Sequence, residues 1–407
     1  MRILQVVEAS LAGVGSHVLD LAEGLLARDH DVHLVYSPRR QDRFFRHRIG
    51  RLQNLRAWPV DLRRRPHPSD FTGVQAVRRA LREEGPFDVI HGHSSKGGAV
   101  ARLAALTAGI PAVYTPHAVR TMDPTMSSLT RIAVGSAERL LASVSVLIAV
   151  SPREAEHLLR MGIPRERLRV VLNCIRPTEL PTASRARSEL GLPLDAWVVG
   201  FVGRLTTQKA PEVLLSAFYR VVQFVPEALL VIIGDGPLRR PLQRACEQLG
   251  LDKHVRWMGE RNGQRSMPAF DVMALPSRYE GLPQVLLEAL HAGLPIVATE
   301  EASAGLIVEP GVNGLVVPVD DPDAVADAIL YMLTHDRERE SFAWASRYRA
   351  ARFTQDRMVE ETEQVYREVV IGRPGEESPT GRKEKAWREE RSISASSTGT
   401  RSAWWRS

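Results

Sequence analysis

Residues 279–290 read YEGLPQVLLEAL, a stretch in which a helix that is apolar on nearly every face carries one carboxylate, Glu288. A helix that is apolar all round is typical of a buried position. A carboxylate held away from water costs free energy unless another group pairs with it. A second carboxylate, Glu280, precedes the helix. The stretch therefore predicts a buried helix whose glutamate holds either a ligand or an internal cation.

The start of this helix has the features of a phosphate site. Pro283 suits a first helical turn, so the N–H groups around Gly281 and Leu282 are expected to point out of the N-terminus. Such an end attracts phosphate through free donors and its dipole. Glu280 would contact the group attached to that phosphate, and Glu288 would accept hydrogen bonds from ribose hydroxyls. Two simpler interpretations stay open: Glu280 caps the helix, and Glu288 pairs with a core arginine.

Apolar strand-like runs alternate with helical patterns along the whole chain. Continuous apolar strands between helices predict parallel sheets covered on both faces. We therefore expect an α/β protein with two Rossmann-like, doubly wound domains facing a central cleft, where such sheets bind ligands. The predicted parts are a first Rossmann-like domain over 1–175, a Pro- and Ser-rich linker with one short helix over 176–195 and a second Rossmann-like domain over 196–352. A helix over 353–370 is expected to pack back on the first domain, and a disordered tail follows over 371–407.

Length and composition indicate a soluble, cytoplasmic protein. The 407 residues suffice for two domains with full cores. Cys174 and Cys246 cannot form a disulfide framework or a cysteine metal cluster, and they fit a reducing compartment. The N-terminus lacks the apolar core of a signal peptide, and no run approaches the roughly 18 apolar residues that span a bilayer.

Positive charge is concentrated between Arg39 and Arg65, where ten arginines face two aspartates, a balance of 10 − 2 = +8. One interpretation is a solvated arginine-rich face. The other is a patch for anionic lipid headgroups or a phosphate-bearing acceptor, which would make the protein peripheral at the inner face of the membrane. Nucleic acid is not expected, because no stacking aromatics are interleaved in a recognisable binding module.

Two cations follow the strand that ends at Gly203. Arg204 and Lys209 flank the next turn and are expected to face the cleft, where they would neutralise a diphosphate without a metal. Solvent-facing loop cations are the simpler interpretation. Gly234 and Gly236 follow another strand, and both are typical turn formers.

In the first half, Gly13 and Gly15 lie between the first strand and the first predicted helix, which leaves room for a phosphate or sugar. Their spacing is not the G-x-G-x-x-G of a dinucleotide fingerprint. His91, His93 and His117 lie at two strand ends near the cleft mouth, either as structural or as functional residues. No H-x-x-x-H or similar ligand spacing occurs, so we predict no protein-bound metal.

Together these motifs resemble the retaining nucleotide-sugar glycosyltransferases of the GT-B fold, family-four type, also called glycosyl transferases group 1. The resemblance covers about residues 1–370. Its most specific part is Glu280 and Glu288 separated by seven residues, with Gly-Leu-Pro after the first glutamate. One departure is Val14, which separates two glycines that are adjacent in many members.

The resemblance implies a role for each motif. Glu280 would contact donor-sugar hydroxyls, and Glu288 would hold the nucleotide ribose. Arg204 and Lys209 would grip the diphosphate, and His117 would lie near the donor sugar. The catalytic candidates are thus Glu280, Arg204, Lys209 and His117. Further donor contacts implied are Gly13, Gly15, Gly203, Gly234, Trp257, Met258, Gly281, Leu282 and Pro283.

The implied activity is transfer of a hexose (class EC 2.4) from a nucleotide-diphosphate sugar, most commonly UDP-linked, to a lipid-linked or polysaccharide acceptor. It would retain anomeric configuration and use neither cofactor nor metal. Residues 91–105, HGHSSKGGAVARLAA, and residues 114–118, YTPHA, resemble members that build bacterial surface polysaccharides or glycolipids. The alternatives are a nucleotide-sugar epimerase of the same fold and a noncatalytic sugar-nucleotide-binding regulator. The missing glycine fingerprint disfavours a dinucleotide dehydrogenase.

Overall fold

The computed structural model describes residues 1–63, 67, 69–176, 178–303 and 305–371. The predicted disordered tail lies outside these ranges from residue 372 onward. No helix within them is both long and apolar enough to span a bilayer.

A seven-stranded parallel sheet is built from the first part of the chain. Its strands are β1 (Arg2–Val7), β2 (Asp31–Tyr36), β3 (Arg56–Pro59), β4 (Val89–His93), β5 (Ala112–Thr115), β6 (Val146–Ala149) and β7 (Leu168–Val170). Their order across the sheet is β3-β2-β1-β4-β5-β6-β7, with every neighbouring pair parallel. The central strands are buried along their length, because helices cover both faces.

The helices of this part are α1 (Ala12–Leu26), α2 (Arg43–Ile49), α3 (Ser69–Glu83), α4 (Ser94–Ala108), α5 (Ser128–Ala142) and α6 (Pro152–Arg160). The prediction that Gly13 and Gly15 form a loop before the first helix is wrong. The helix begins at Ala12, whose N–H donates to Asp42 Oδ2 over 2.7 Å, and the Gly15 N–H donates to the Leu11 carbonyl. Both glycines therefore lie in the first turn of α1.

A six-stranded parallel sheet follows. Its strands are β8 (Val198–Val202), β9 (Leu229–Ile233), β10 (Val255–Gly259), β11 (Val272–Leu275), β12 (Ile296–Thr299) and β13 (Gly314–Val317), in the order β10-β9-β8-β11-β12-β13. The helices are α7 (Ala183–Leu190), α8 (Pro211–Phe224), α9 (Arg239–Gln248), α10 (Gly263–Ser266), α11 (Gln284–Ala292), α12 (Glu300–Ser303), α13 (Pro322–Thr334) and α14 (Asp336–Ala350). The two doubly wound parallel sheets confirm the predicted α/β fold class.

The last helix, α15 (Gln355–Ile371), packs on the first sheet. Val359 and Tyr366 share a buried apolar cluster with residues of β1 and α1. The Tyr366 hydroxyl lies 2.7 Å from His91 Nδ1 in the interior. The end of the described chain therefore supports the strand that carries the histidines of the candidate site.

Candidate active site

The N-termini of α1 and α11 lie against each other between the two sheets. A Cβ added at Gly13 would lie 3.3 Å from the Cβ of Gln284, the first residue of α11. Neither N-cap residue, Leu11 or Pro283, accepts a side-chain capping bond, and at the start of α1 the Ala12 N–H donates to the Asp42 carboxylate. A helix N-terminus carries free N–H donors and partial positive charge, so two of them side by side form a place suited to an anion.

Hydrogen bonds fix this contact in place. The Asn173 side chain donates to the Leu282 carbonyl over 2.8 Å. The Gln284 side chain donates to the Cys174 carbonyl over 2.7 Å. Both bonds join the segment after the first sheet to the start of α11, so the two sheets are held in a defined relation at the candidate site.

Glu280 lies beside Lys209, as the motif positions suggested. Lys209 Nζ is 2.6 Å from Glu280 Oε1, and the Glu280 residue is 6% exposed. The Gln208 amide approaches the other carboxylate oxygen at 3.5 Å. The interpretation of Glu280 as a cap of α11 is wrong, because that helix has no side-chain cap. A buried ion pair at this position can exchange partners with a charged ligand.

The glycines around Arg204 hold two loops of the second sheet in close contact. A Cβ at Gly234, where φ is 131°, would lie 2.0 Å from the Gly203 carbonyl oxygen, and a Cβ at Gly236 would lie 2.4 Å from that of Leu205. Both contacts are closer than any side chain permits, so both positions require glycine. Arg204, half-buried, follows Gly203 directly. The close packing fixes the backbone that carries this arginine.

Glu288 is half-buried in α11 and makes no hydrogen bond or ion pair within the described residues. Burial, and to a smaller extent the charge of nearby Asp20, raises the pKa of Glu288 to about 8. The interpretation that a core arginine pairs with Glu288 is therefore wrong within the described residues; Arg48 instead bonds Asp20 at 2.7 Å. In the part of the chain that the structure describes, no group donates a hydrogen bond to Glu288.

The remaining predicted donor contacts are spread over two elements. Trp257 and Met258 lie half-buried on the edge strand β10 and pack against the second core. Leu282 is buried, and Pro283 is the N-cap rather than a first-turn residue of α11. Gly281 packs on the first half of the chain, since a Cβ there would lie 2.7 Å from the Ala118 nitrogen.

The turn that carries His117 has an unfavourable backbone conformation. His117 and Ala118 have φ of 57° and 75°, in the left-handed region that residues with a Cβ disfavour. Glu154, fully buried on α6, stabilises the turn. Its Oε1 accepts from the N–H of Ala118 and of Val119 at 2.8 and 3.0 Å, and its Oε2 accepts from the N–H of Val150 at 2.8 Å.

Sequence reasoning missed Glu154. Burial raises the pKa of Glu154 to about 7, against the opposing effect of its three backbone donors. The available signal was Ser151-Pro-Arg-Glu154, the pattern of a capping box at a helix start. The Ser151 hydroxyl does accept from the Glu154 N–H. The glutamate carboxylate, however, reaches across to the His117 turn, which sequence spacing alone does not reveal.

Four histidines lie together at the carboxyl ends of β4 and β5. His91 is a structural residue, because Tyr366 and Thr115 bond both of its ring nitrogens. His93 and His117 contact each other, with 3.2 Å between Nδ1 and Nε2, and His17 of α1 completes the group. His17 was missed by the sequence reasoning.

Burial determines the protonation of these rings. It lowers the pKa of His17 to about 4, and lowers the pKa of His93 and of His117 well below the ordinary value, with neighbouring histidines adding a smaller effect. At neutral pH the three imidazoles are therefore uncharged.

Several arginines of the segment between Arg39 and Arg65 form ion pairs with carboxylates of the protein. These pairs are Arg39–Asp61, Arg40–Glu8, Arg48–Asp20 and Arg56–Glu84. Arg43, at the start of α2, donates to the Glu260 carbonyl over 2.7 Å and so reaches the second sheet. Arg64 and Arg65 lie outside the described residues. Arg46 and Arg51 are exposed.

Two family models match the chain. The model described as "Glycosyl transferases group 1" matches residues 183–349, and the "Glycosyl transferase 4-like domain" matches residues 12–174. A D-inositol 3-phosphate glycosyltransferase from Saccharomonospora viridis is 31% identical over 322 residues, covering 74% of each chain. Its counterpart from Acidothermus cellulolyticus is 29% identical and covers 89% of this chain and 86% of its own.

Solved structures share the architecture. HepE from Anabaena, in complex with UDP and glucose, superimposes with a TM-score of 0.76 at 22% identity, over 89% of this chain and 98% of its own. A sucrose-phosphate synthase from Thermosynechococcus elongatus gives a TM-score of 0.77 at 20% identity, over 92% and 100%.

The hydrogen bonds of Glu154 predict a specific stability effect. In Glu154→Gln an amide N–H₂ would face a backbone N–H donor, leaving buried donors unpaired at a cost of about 1–3 kcal/mol. We expect a lower thermal melting temperature than that of Glu156→Gln, an exposed position two residues along the same helix. Equal melting temperatures of the two variants would contradict the role given to Glu154.

The raised pKa of Glu288 predicts a pH-dependent effect. Between the ordinary glutamate pKa of 4.5 and the folded value of about 8, the folded protein binds the Glu288 proton more tightly than the unfolded chain. The contribution of Glu288 to stability therefore falls as pH rises through this window. The melting temperature of Glu288→Gln should rise relative to that of the wild type as pH rises. We expect the difference between the two to increase by about 2 °C or more from pH 5 to pH 8.5.

Melting curves of both proteins across this pH range test the expectation, with Glu247→Gln, an exposed helical position, as the control. A difference that stays constant or shrinks as pH rises would show that Glu288 ionises normally.

Proposed function

The chain belongs to the glycosyl transferases group 1 family and is a glycosyltransferase of the GT-B fold, and on this premise we propose its reaction. The reaction is transfer of a hexose from a UDP-sugar to an acceptor hydroxyl, with retention of anomeric configuration and without a metal ion. In this proposal residues 1–175 form the acceptor-side domain and residues 196–352 the donor-side domain, joined by the linker 176–195.

One observation carries the proposal: the contact of Gly13 with Gln284 that brings two helix N-termini together. A nucleotide sugar carries a diphosphate between its two sugars, and phosphate groups bind at helix N-termini. The cations Arg204 and Lys209 follow β8 of the second sheet, and Lys209 pairs with Glu280, four residues before α11 begins. Donors and cations held in position before reaction stabilise the negative charge that grows on the leaving diphosphate.

The two glutamates have distinct roles in this proposal. Glu280 accepts hydrogen bonds from donor-sugar hydroxyls, while Lys209, now 2.6 Å away, turns toward the phosphate. Glu288 accepts from the ribose hydroxyls, which supply the donors that the described residues do not. His117, which packs near Gly281 through Ala118, lies beside the donor sugar. The nucleotide sugar thus supplies hydrogen bonds to carboxylates whose burial without a partner costs free energy.

Two observations bear on the substrates. HepE is described in complex with UDP and glucose, which supports a UDP-linked donor. The relatives named as D-inositol 3-phosphate glycosyltransferases favour a second acceptor class, a phosphorylated cyclitol, beside the lipid-linked or polysaccharide acceptor. Arg46 and Arg51 are both exposed, so they can contact an anionic acceptor or lipid headgroup. A cytoplasmic location remains a prediction.

The reaction is tested with purified protein, a panel of UDP-sugars, and both acceptor classes, in the presence of a chelator. We expect UDP release that requires an acceptor and a product that retains the donor's anomeric configuration by NMR. Lys209→Ala and Glu280→Gln should each lower kcat by about 10²–10³-fold, the loss typical of removing one charge-stabilising group. Lys253→Ala, an exposed position, is the matched control.

Each alternative gives a different result. Conversion of the UDP-sugar to its epimer without an acceptor would indicate an epimerase. Tight UDP-sugar binding without turnover would indicate a regulator. Wild-type kcat in Lys209→Ala would remove the catalytic role of the cation.

A further inference from the structure

An arginine of the first half of the chain forms ion pairs with two glutamates of the second half. Arg153 lies in the first turn of α6, and Glu300 and Glu301 open α12, directly after β12. Arg153 Nη2 contacts the Glu301 carboxylate, and Arg153 Nη1 lies 3.6 Å from Glu300 Oε1. We propose that this pairing makes Arg153 a positioning residue, which holds the His117 turn against Gly281 at the donor-sugar site. The kinetic part of this inference rests on the proposed function, and the structural part does not.

The start of α6 connects the ion pair to the His117 turn. Arg153 directly precedes Glu154, whose carboxylate accepts from the Ala118 N–H over 2.8 Å. Ala118 in turn packs on Gly281, where an added Cβ would lie 2.7 Å from the Ala118 nitrogen. The ion pair and the turn are thus fixed to the same short piece of helix, so displacing one displaces the other.

Arg153 has an unfavourable position within its own helix. A cation in the first turn of a helix meets the partial positive charge of the N-terminus. The favourable interaction of Arg153 is therefore the one with the glutamates of α12, across the cleft.

Charge attraction, rather than a hydrogen bond, holds the pair together. The side chains of Arg153 and Glu301 are both 29% exposed, so water and salt screen their attraction only in part. Glu301 Oε2 is buried and accepts no hydrogen bond from the described residues. Changing the charge of either residue should therefore change the contact between the halves.

The pair lies at one flank of the cleft. Arg153 follows β6 and Glu301 follows β12, and both strands lie towards the last strand of their sheet. At the other flank, where α2 follows β2, Arg43 donates to the Glu260 carbonyl beyond β10. That contact uses a main-chain carbonyl, whereas the Arg153 contact joins opposite charges and can be tested by exchanging them.

Loosening the pair is expected to weaken donor binding more than turnover. When the competent arrangement of the halves is only partly populated, the apparent affinity falls by that fraction, and saturating ligand restores the arrangement. Arg153→Glu, which places three carboxylates together, should raise the KM for the UDP-sugar about three- to tenfold and leave kcat within about twofold of the wild type. The double reversal Arg153→Glu/Glu301→Arg should recover most of the loss. Arg160→Glu, exposed at the end of the same helix, is the matched control.

The arrangement of the halves is measured without any substrate. Spin labels on Glu156→Cys and Asp323→Cys, exposed positions of α6 and α13, report the distance between the halves by pulsed EPR, and both native cysteines are buried. We expect a longer or broader distance distribution in Arg153→Glu and the wild-type distribution in the double reversal. Glu301→Gln, which removes one charge without reversing it, provides a milder test if Arg153→Glu does not fold.

An unchanged distance and an unchanged KM in folded Arg153→Glu would overturn the proposal. So would a double reversal that leaves the changes uncorrected, or the same changes in Arg160→Glu. If the wild type turns over no UDP-sugar, the proposed function fails, while the distance measurement still decides the role of the ion pair.

Discussion

The meeting of the α1 and α11 N-termini is the constraint on which the rest of this structure depends. Each sheet contributes one helix, and a Cβ at Gly13 would lie 3.3 Å from the Gln284 Cβ, a tighter contact than most side chains make. Placing two like partial charges side by side is unfavourable by itself. Asn173 and Gln284, through their bonds to main-chain carbonyls, keep the helices in this arrangement. A bound anion attracts both helix N-termini and so offsets the repulsion between them. The unfavourable arrangement is therefore consistent with a diphosphate ligand.

A strained backbone turn in the first half of the chain also contributes to the candidate active site. The left-handed His117–Ala118 turn brings the first sheet against Gly281, directly after Glu280. Glu154 stabilises that turn from inside the protein, at the expense of burying a carboxylate. The site is thus made of groups that are individually costly: a strained turn, two buried carboxylates and a buried histidine cluster. Such costs concentrate where a protein binds ligands.

Local patterns could be predicted from the sequence, and contacts between distant residues could not. Parallel sheets could be predicted from apolar runs such as the one that forms β12, because a buried parallel strand is a continuous apolar run. Lys209 and Glu280 were found because each lies in a recognisable local motif. The helix α2 was not predicted, because a seven-residue segment rich in arginine is too short to show a helical apolar period. Glu154 acts through backbone groups over 30 positions away, which no spacing rule detects.

The location of a bound diphosphate tests the central claim most directly. In a crystal structure of the protein with UDP, we predict the pyrophosphate between the first turns of α1 and α11, accepting from backbone N–H groups of both helices and contacting Lys209. Diphosphate density bound by only one of the two helices, or lying away from their contact, would contradict the account.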